Sequence, residues 1–304
     1  MSRRRGGAHR IAGSHLAALA GRLTPRDRSL LRLLAEHRVL TVQHCADLLY
    51  ATPEAARHRL VSLHRLKAVD RFRPLVGLGD GSAPYHYVLG EAGAVVLAAE
   101  LGVEPHQLGY RRDQALAIAH QPSLAQLLGV NGFFASLATA ARAQPGAALV
   151  AWWSAARCAS QWGKLVRPDG YGRWRRGARE VDFFLEHPQP ATPAEPAPDG
   201  QADGWLARLA DKLAGYVALA ATTRIATPIL LWLDTPVMEA QARAALPRVP
   251  LPAATASRAL GNPAGPVWLP PGTAGPRREL LDLRQPPAQP APPPSPPHQP
   301  HGRP

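Results

Sequence analysis

The sequence has few cysteines, few acids relative to its bases, and no long apolar run. Two cysteines in 304 residues, Cys45 and Cys158, exclude a disulfide scaffold and a cysteine-rich zinc site. Uninterrupted apolar stretches such as 229–233 fall far short of the roughly 20 residues that span a bilayer, and the arginine-rich N-terminus lacks the apolar segment of a secretory signal. We therefore expect a cytoplasmic protein from a reducing compartment, without a membrane as partner.

Acids are scarce in one part of the chain in particular. Lys and Arg total 35 against 22 Asp and Glu, for a formal net charge of +13. Residues 1–90 contain 15 of these bases and only 6 of the acids, so most of the excess lies in less than a third of the chain. A positive charge of this size predicts a polyanionic partner, nucleic acid before a membrane surface.

Proline is abundant and marks the boundaries of the predicted domains. Of the 33 prolines, ten fall in residues 285–304, where no apolar periodicity remains, which predicts a disordered Pro-rich tail. A smaller cluster predicts a Pro-rich surface loop at 187–204, because structured-looking sequence flanks it on both sides. With a basic flexible arm at 1–22, these segments leave two predicted domains, 23–101 and 113–250.

Residues 23–101 have the pattern of three short helices followed by a two-stranded ribbon. Thr24 and Thr52 each precede a proline, and threonine followed by proline is typical of a helix start. The third helix combines apolar residues at three- and four-residue spacing with basic residues on its other faces. Strand-like segments at 69–73 and 85–89 then flank a Gly-rich turn. This order predicts a winged helix-turn-helix.

The third helix and the ribbon are the candidate DNA-binding surface. A basic helix in the major groove reaches base edges, and arginines of a ribbon contact phosphates. No acid lies between Arg57 and Lys67, whereas a merely solvated face usually mixes both signs. We therefore predict binding to double-stranded DNA. The predicted contact residues are Arg57, His58, Arg59, Ser62, Arg65, Lys67, Arg71 and Arg73.

Residues 113–250 alternate between helical and strand-like patterns. A helix at 123–143 precedes strand-like segments at 148–153, 165–170 and 179–186, and a second helix at 206–219 precedes a buried strand at 228–234. The αβββαβ order predicts an α+β or α/β fold of the kind found in PD-(D/E)xK nucleases. The helix at 123–143 opens this domain in the interpretation we favour; as a dimerisation helix it would instead make the protein a homodimer.

A nuclease of this type needs two carboxylates for a magnesium ion and a lysine near the attacked phosphate. Asp169 and Glu186 are the candidate metal ligands, and with Lys212 they are the candidate catalytic residues. The usual lysine two residues after the acid is absent, since His187 and Pro188 follow Glu186. Mg²⁺ would be the cofactor of an active site. In the alternative, which we favour, the fold is nuclease-like, its acids are partly exposed, and DNA is not cut.

Several short motifs together resemble one family. They are Leu23 to Asp27, Ala55 to Leu60, Tyr87 to Ala94, Arg167 to Gly170, Phe183 to Glu186 and Arg208 to Tyr216. Over residues 23–235 the chain resembles the replication-relaxation family of actinobacterial plasmids and integrative elements. The resemblance implies DNA binding in plasmid replication, relaxation or mobilisation, and it supplies no established reaction. One departure is the segment after Glu186, where family members usually have a turn containing Gly-Thr-Glu.

Three functions remain open at this point. The first is a sequence-directed DNA-binding protein of a plasmid or integrative element, with replication or relaxase proteins as further partners. The second is a winged-helix transcriptional repressor, which would use only the first domain for DNA. The third is a metal-dependent DNA endonuclease, which would use Asp169, Glu186 and Lys212.

Overall fold

The computed structural model of the protein describes residues 19–74, 83–189, 204–224, 226–246 and 250–283. Within these ranges the protein is mixed α+β and contains two β-sheets, so the α+β class expected from the sequence is confirmed. Four predicted segments lie wholly or mostly outside the described residues: the tail at 285–304, the arm at 1–22, the Gly-rich turn of the ribbon and the Pro-rich loop at 187–204.

The first half of the chain places helices around a small antiparallel sheet. Its helices are α1 (Pro25–His37), α2 (Val42–Leu49), α3 (Pro53–Arg65) and α4 (Glu91–Leu101), and its strands are β1 (Leu40–Thr41), β2 (Val69–Phe72) and β3 (His86–Leu89), in the order β1-β3-β2. Thr24 and Thr52 are N-caps whose hydroxyls accept hydrogen bonds from the backbone N–H three residues later, which confirms the predicted helix starts.

The core of this half begins earlier than the sequence predicted. Residues 19–22 are helical, and Leu19 is only 1% exposed, packed in the same cluster as Leu23, Leu30 and Leu60. The prediction of a flexible arm is therefore wrong for its last four residues. The reason is that Leu19 and Leu23 lie one helical turn apart, so both side chains are buried on the same side.

The backbone turn that follows α3 leaves room only for a glycine at position 90, where the end of β3 lies against this turn. Lys67 follows the helix with a left-handed backbone conformation, φ 59°. Gly90 lies against this turn, and a Cβ atom on it would be 2.4 Å from the carbonyl oxygen of Lys67. Any other residue would clash with the backbone there, so Gly90 allows β3 and α4 to pack closely on the end of α3.

The second half consists of a five-stranded sheet with helices on both faces. The short helix α5 (Arg112–Ala117) packs on β2 and β3 of the first half. The helices of the second half are α6 (Leu124–Ala143), α7 (Ala155–Trp162), α8 (Gly204–Thr223) and α9 (Pro236–Ala245); its strands are β4 (Ala147–Ser154), β5 (Gly170–Arg176), β6 (Arg179–Glu186), β7 (Ile229–Leu233) and β8 (Ala253–Ser257). The order is β4-β5-β6-β7-β8, antiparallel through β6 and parallel from β6 to β8. Short 3₁₀ turns lie at Pro105–Leu108, Ile118–His120, Arg258–Leu260 and Leu280–Leu283.

Strand β5 is displaced from its predicted position. The strand expected at 165–170 is wrong: Pro168 and Asp169 precede β5, which begins at Gly170. Proline has no N–H to donate to a ladder, which is why Pro168 lies outside the strand. Helices α7 and α9 and strand β8 were not predicted either.

Alternation along the strands assigns side chains to the two faces of the sheet. Phe183 and Leu185 of β6 pack in one core with Phe133 of α6. Phe184, between them, packs in the opposite core with Tyr216 of α8. Glu186 lies two residues after Phe184 and therefore also faces α8.

The second half extends beyond the predicted boundary at residue 250. Strand β8 pairs with β7, and Trp268, Leu280 and Leu281 are buried in the same core as α6. Segment 250–283 thus contributes large apolar side chains to this domain, which reaches at least to Leu283.

Helix α6 packs against both halves. Its Phe133, Phe134 and Leu137 are buried in a core that it shares with the large sheet, as expected of the first helix of the second half. Buried Asn131 donates hydrogen bonds from Nδ2 to the carbonyl oxygens of His37 (3.2 Å) and Val39 (2.7 Å) in the first half. Among the described helices, only α6 is long and apolar enough to cross a membrane by length and composition, and part of it, including Phe133, Phe134 and Leu137, is buried inside this fold.

Candidate functional site

The predicted DNA-contact residues form a basic surface on the first half. Arg57, His58, Arg65, Lys67 and Arg73 are exposed, and we call these five residues the α3 basic surface. No carboxylate in the described ranges lies within ion-pair distance of any of them, although fourteen other ion pairs are formed there. Basic side chains without a carboxylate partner can pair with an external anion.

The ribbon arginines are held by an aromatic ring. The guanidinium carbons of Arg71 and Arg73 lie 3.9 and 4.0 Å from the centre of the Tyr85 ring, close enough for cation–π attraction. Arg71 is half-buried, as is Ser62 on α3. Tyr85 therefore orients two positive charges at the base of the ribbon.

Arg59 is placed differently from the other predicted contact residues. Its Nε lies 2.8 Å from Oδ1 of Asp27, and its Nη2 lies 2.5 Å from Oδ2 of the same carboxylate. Asp27 is only 1% exposed. Burial acts to raise the pKa of Asp27, but hydrogen bonds from Arg59 and Thr24 outweigh it and lower that pKa. Because its guanidinium neutralises a buried acid, Arg59 ties α3 to α1 and is not part of the α3 basic surface.

The three candidate catalytic residues of the second half converge at one point. Gly170 pairs with Leu185 across the antiparallel β5–β6 ladder, which brings Asp169 next to Glu186. Lys212 approaches from α8, with its Nζ 2.7 Å from Oδ1 of Asp169 and also hydrogen-bonded to Oε2 of Glu186. The expected proximity of these side chains is therefore present.

The remaining carboxylate oxygens also accept hydrogen bonds. The Tyr216 hydroxyl donates to Oε1 of Glu186 at 2.6 Å. Oδ2 of Asp169 accepts from Gln126 Nε2 and from the backbone N–H of His187, both at 2.8 Å. All four oxygens thus have a donor. We call Asp169, Glu186, Lys212 and Tyr216 the ionic cluster.

Burial of the ionic cluster is deeper than the sequence predicted. Glu186 is 1% exposed, so the expectation of partly exposed acids is wrong for this residue. Burial, together with the neighbouring Asp169, raises the pKa of Glu186 to about 8. Burial would raise the pKa of Asp169 as well, but Lys212 and the hydrogen bonds from His187 and Gln126 lower it. Burial tends to lower the pKa of Lys212, whereas the two carboxylates raise it.

The donor set does not fit a resident magnesium ion. Mg²⁺ requires about six oxygen ligands in octahedral geometry. Here the position that faces both Asp169 and Glu186 is filled by the Lys212 ammonium. Within the described ranges, no group of three or more His, Cys, Asp and Glu side chains is arranged to hold a metal ion.

Sequence reasoning did not assign roles to Tyr216 and Gln126. Tyr216 could have been found, because Lys212 and Tyr216 are four residues apart and lie on the same side of a helix. Gln126 could not, since nothing in the sequence around Gln126 indicates a contact with an acid 43 residues away.

The two cysteines, Cys45 and Cys158, are buried, and burial raises the pKa of each thiol to about 12. Neither thiol is therefore a nucleophile.

A cleft of about 760 Å³ lies beside the ionic cluster, between α2 and the carboxyl ends of the parallel strands. His44 and Asp47 line it from the first half, and His187 and Asp234 from the second. The His187 ring packs directly on Gly129 of α6, where a Cβ atom would lie 1.8 Å from Nε2. The backbone of His187 binds Asp169, so one residue connects the cleft to the cluster.

The model of the replication-relaxation family matches residues 31–229, which is more than half of the chain. The protein belongs to the replication-relaxation family, and the resemblance predicted from the sequence is confirmed. The matched span begins within α1 and includes both the α3 basic surface and the ionic cluster. No curated protein and no solved structure matches the chain significantly.

Proposed function

We propose that the protein binds double-stranded DNA through the α3 basic surface and acts in replication, relaxation or mobilisation of a plasmid or integrative element. Membership of the replication-relaxation family suggests a role in replication or relaxation of such elements. The observation that carries the DNA-binding part is the set of exposed cations on and after α3 without a carboxylate partner in the described residues. The cell compartment we propose is the cytoplasm.

The arrangement of the first half supports a winged helix-turn-helix. Helices α2 and α3 are joined by three residues, 50–52, and the chain continues into the β2–β3 ribbon beside β1. In this geometry α3 enters the major groove, where Arg57 and His58 meet base edges. Arg65 and Lys67 at its end, with Arg73 on the ribbon, contact phosphates, which position the protein without reading sequence.

The second half supports a nuclease-like fold that we propose does not cut DNA. Its order of elements, α6, three antiparallel strands, α8 and β7, matches the αβββαβ pattern once the short helix α7 is set aside. The ammonium of Lys212, rather than a metal ion, lies between its two acids and pairs with both. In our proposal this half supports the DNA-binding half through α6 and offers a surface for replication or relaxase partners.

The salt dependence of DNA binding tests the proposed surface. We expect the affinity of the full chain for duplex DNA, measured by fluorescence anisotropy, to fall linearly with salt on logarithmic axes. Replacing Arg65 and Arg73, the two arginines that contact phosphates in this geometry, by alanine should make this slope shallower by about 2, since each lost phosphate neutralisation changes it by about 0.9. The control Arg142→Ala/Arg175→Ala removes the same charge from exposed positions in the second half. Equal slopes for the two double variants would contradict the proposal.

Footprinting distinguishes the element-borne role from the repressor alternative. Protection of a plasmid origin or transfer region, lost in Arg57→Ala/Arg65→Ala, would support replication or mobilisation. Protection confined to the promoter of the protein's own gene would indicate a winged-helix repressor. Binding without any preferred site would contradict sequence-directed recognition but leave the basic surface as a DNA-binding surface.

A further inference from the structure

We propose that the Lys212 ammonium occupies the position of a divalent cation between Asp169 and Glu186, and that removing this side chain creates a divalent-cation site in the second half. Lys212 Nζ is the one group in the described residues that donates to an oxygen of both carboxylates. The inference concerns the second half and is independent of DNA binding by the first.

The sheet itself forces the two acids together. Asp169 and Glu186 sit at the same end of the β5–β6 ladder, just outside the Gly170–Leu185 pair, and neighbouring strands are about 4.8 Å apart. Glu186 is 1% exposed, and the Asp169 side chain is 11% exposed. Two carboxyl groups this close in a dry environment need either a proton on one of them or a cation between them.

Helix α8 supplies this cation as the ammonium of Lys212. Helix α8 directs Lys212 and Tyr216, one turn later, at the same carboxylate, so Glu186 is bound through both oxygens. The ammonium carries one positive charge in a compact, multi-donor group, which makes it a fair substitute for a hydrated ion. Gln126 and the His187 N–H hold Asp169 in place from the other side.

Shortening Lys212 would leave these supports intact. Gln126, the His187 backbone and Tyr216 still orient the carboxylates, whereas the space between Asp169 Oδ1 and Glu186 Oε2 opens. The Lys212 side chain is 29% exposed, so the vacated space connects to solvent and can supply water ligands. One or two carboxylates plus water is a common ligand set for Mg²⁺, and Mn²⁺ accepts the same oxygen ligands.

Manganese binding to the full chain tests the proposal. We expect no saturable Mn²⁺ binding by the wild-type protein in electron paramagnetic resonance titrations. Lys212→Ala should bind one Mn²⁺ per chain, and its melting temperature should rise with added Mn²⁺. The matched control is Lys212→Ala/Asp169→Asn, which removes one of the two carboxylate charges and should abolish both effects. Mg²⁺ should compete with the bound Mn²⁺.

Two results would overturn the proposal. The first is saturable Mn²⁺ binding by the wild type that Asp169→Asn abolishes, because the ammonium would then not hold the cation position. The second is a folded Lys212→Ala that binds no Mn²⁺. If Lys212→Ala does not fold, Lys212→Gln keeps a hydrogen-bond donor without the charge and is tested by the same Mn²⁺ titration. The titration of the wild-type protein tests the proposal whether or not either variant folds.

Discussion

The α3 basic surface and the ionic cluster both contain basic side chains, but in opposite environments. Arg57, Arg65 and Lys67 are exposed without a carboxylate nearby in the described residues, whereas Lys212 lies between the buried Glu186 and the largely buried Asp169. A surface cation that lacks an internal partner keeps its full interaction for a ligand. A cation enclosed by carboxylates instead contributes to folding, because removing it leaves buried charges unpaired.

Arg57 and Arg59 show the same contrast within one helix. They are two residues apart in an uninterrupted basic run, yet Arg57 is exposed and Arg59 forms two hydrogen bonds to buried Asp27. The partner, not the residue type, therefore decides whether a basic residue serves binding or stability.

The largest effect should come from Lys212. Lys212→Met keeps the length of the side chain but leaves Asp169 and Glu186 without a cation, and we expect a loss of about 4 kcal/mol in the free energy of unfolding. Urea unfolding measures it, with Arg57→Ala as the comparison, where the change should stay within about 0.5 kcal/mol. Similar losses of unfolding free energy in the two variants would show that paired and unpaired basic residues do not differ in their contribution to stability.

Arg59→Ala should give the next largest loss of stability, about 2 kcal/mol, because the buried carboxylate of Asp27 would retain only its Thr24 hydrogen bonds. Since Arg59 is partly exposed, the loss should be smaller than that of Lys212→Met. A double-mutant cycle with Asp27→Asn isolates the interaction. If Arg59→Ala weakens DNA binding as strongly as Arg57→Ala while stability is unchanged, the assignment of Arg59 is wrong.

A smaller, pH-dependent effect should arise where the halves meet. The rings of His37 and Trp152 are stacked, with their centroids 3.5 Å apart. Burial lowers the pKa of His37 from 6.5 to about 3. Below pH 6.5 the unfolded chain takes up a proton that the folded state excludes, so His37 lowers stability as the pH falls. Between about pH 6 and about pH 5 we expect His37 to account for about 1.4 kcal/mol at most. The variant His37→Phe keeps a stacking ring, and its free energy of unfolding should lack this dependence on pH. If the free energy of unfolding of the variant varies with pH as steeply as that of the wild type, the prediction is wrong.

The last predicted effect is no change at all. The wild type and Asp169→Ala should leave supercoiled plasmid equally intact with Mg²⁺ or Mn²⁺, because Lys212 fills the position that a metal would need. Agarose gels of nicked and supercoiled DNA measure this. Nicking by the wild type that disappears in Asp169→Ala would establish the endonuclease alternative.

Much of the fold could be predicted because its signals are local. Thr24-Pro25 and Thr52-Pro53 mark helix starts, because each threonine side chain accepts a hydrogen bond from the backbone N–H three residues later. Helix α9 begins with the same signal at Thr235-Pro236. Strand β8, with the sequence AATAS, carries no alternation of large apolar and polar residues and gave nothing to detect. Its place in the sheet depends on pairing with β7.

The candidate sites also combine features set by local sequence with features set by tertiary contacts. Exposure of Arg57, His58 and Arg65 follows from helical periodicity, since Leu60 and Leu63 lie on the buried face of α3. Asp169, Glu186 and Lys212 were predicted to meet from the order of elements, and they do. That Lys212 fills the space between the acids, with Gln126 and Tyr216 completing the hydrogen bonds, depends on distances that no pattern encodes.

By itself the sequence determined where helices begin, which faces are apolar, and that positive charge is concentrated in the first third of the chain. These properties depend on residues within a few positions of each other or on composition. Only the tertiary structure decided which charges are paired: Arg59 with an acid 32 residues away, and Lys212 with acids 26 and 43 residues away. Coulombic and hydrogen-bond energies depend on distance in space, and the fold alone brings such distant residues within 3 Å.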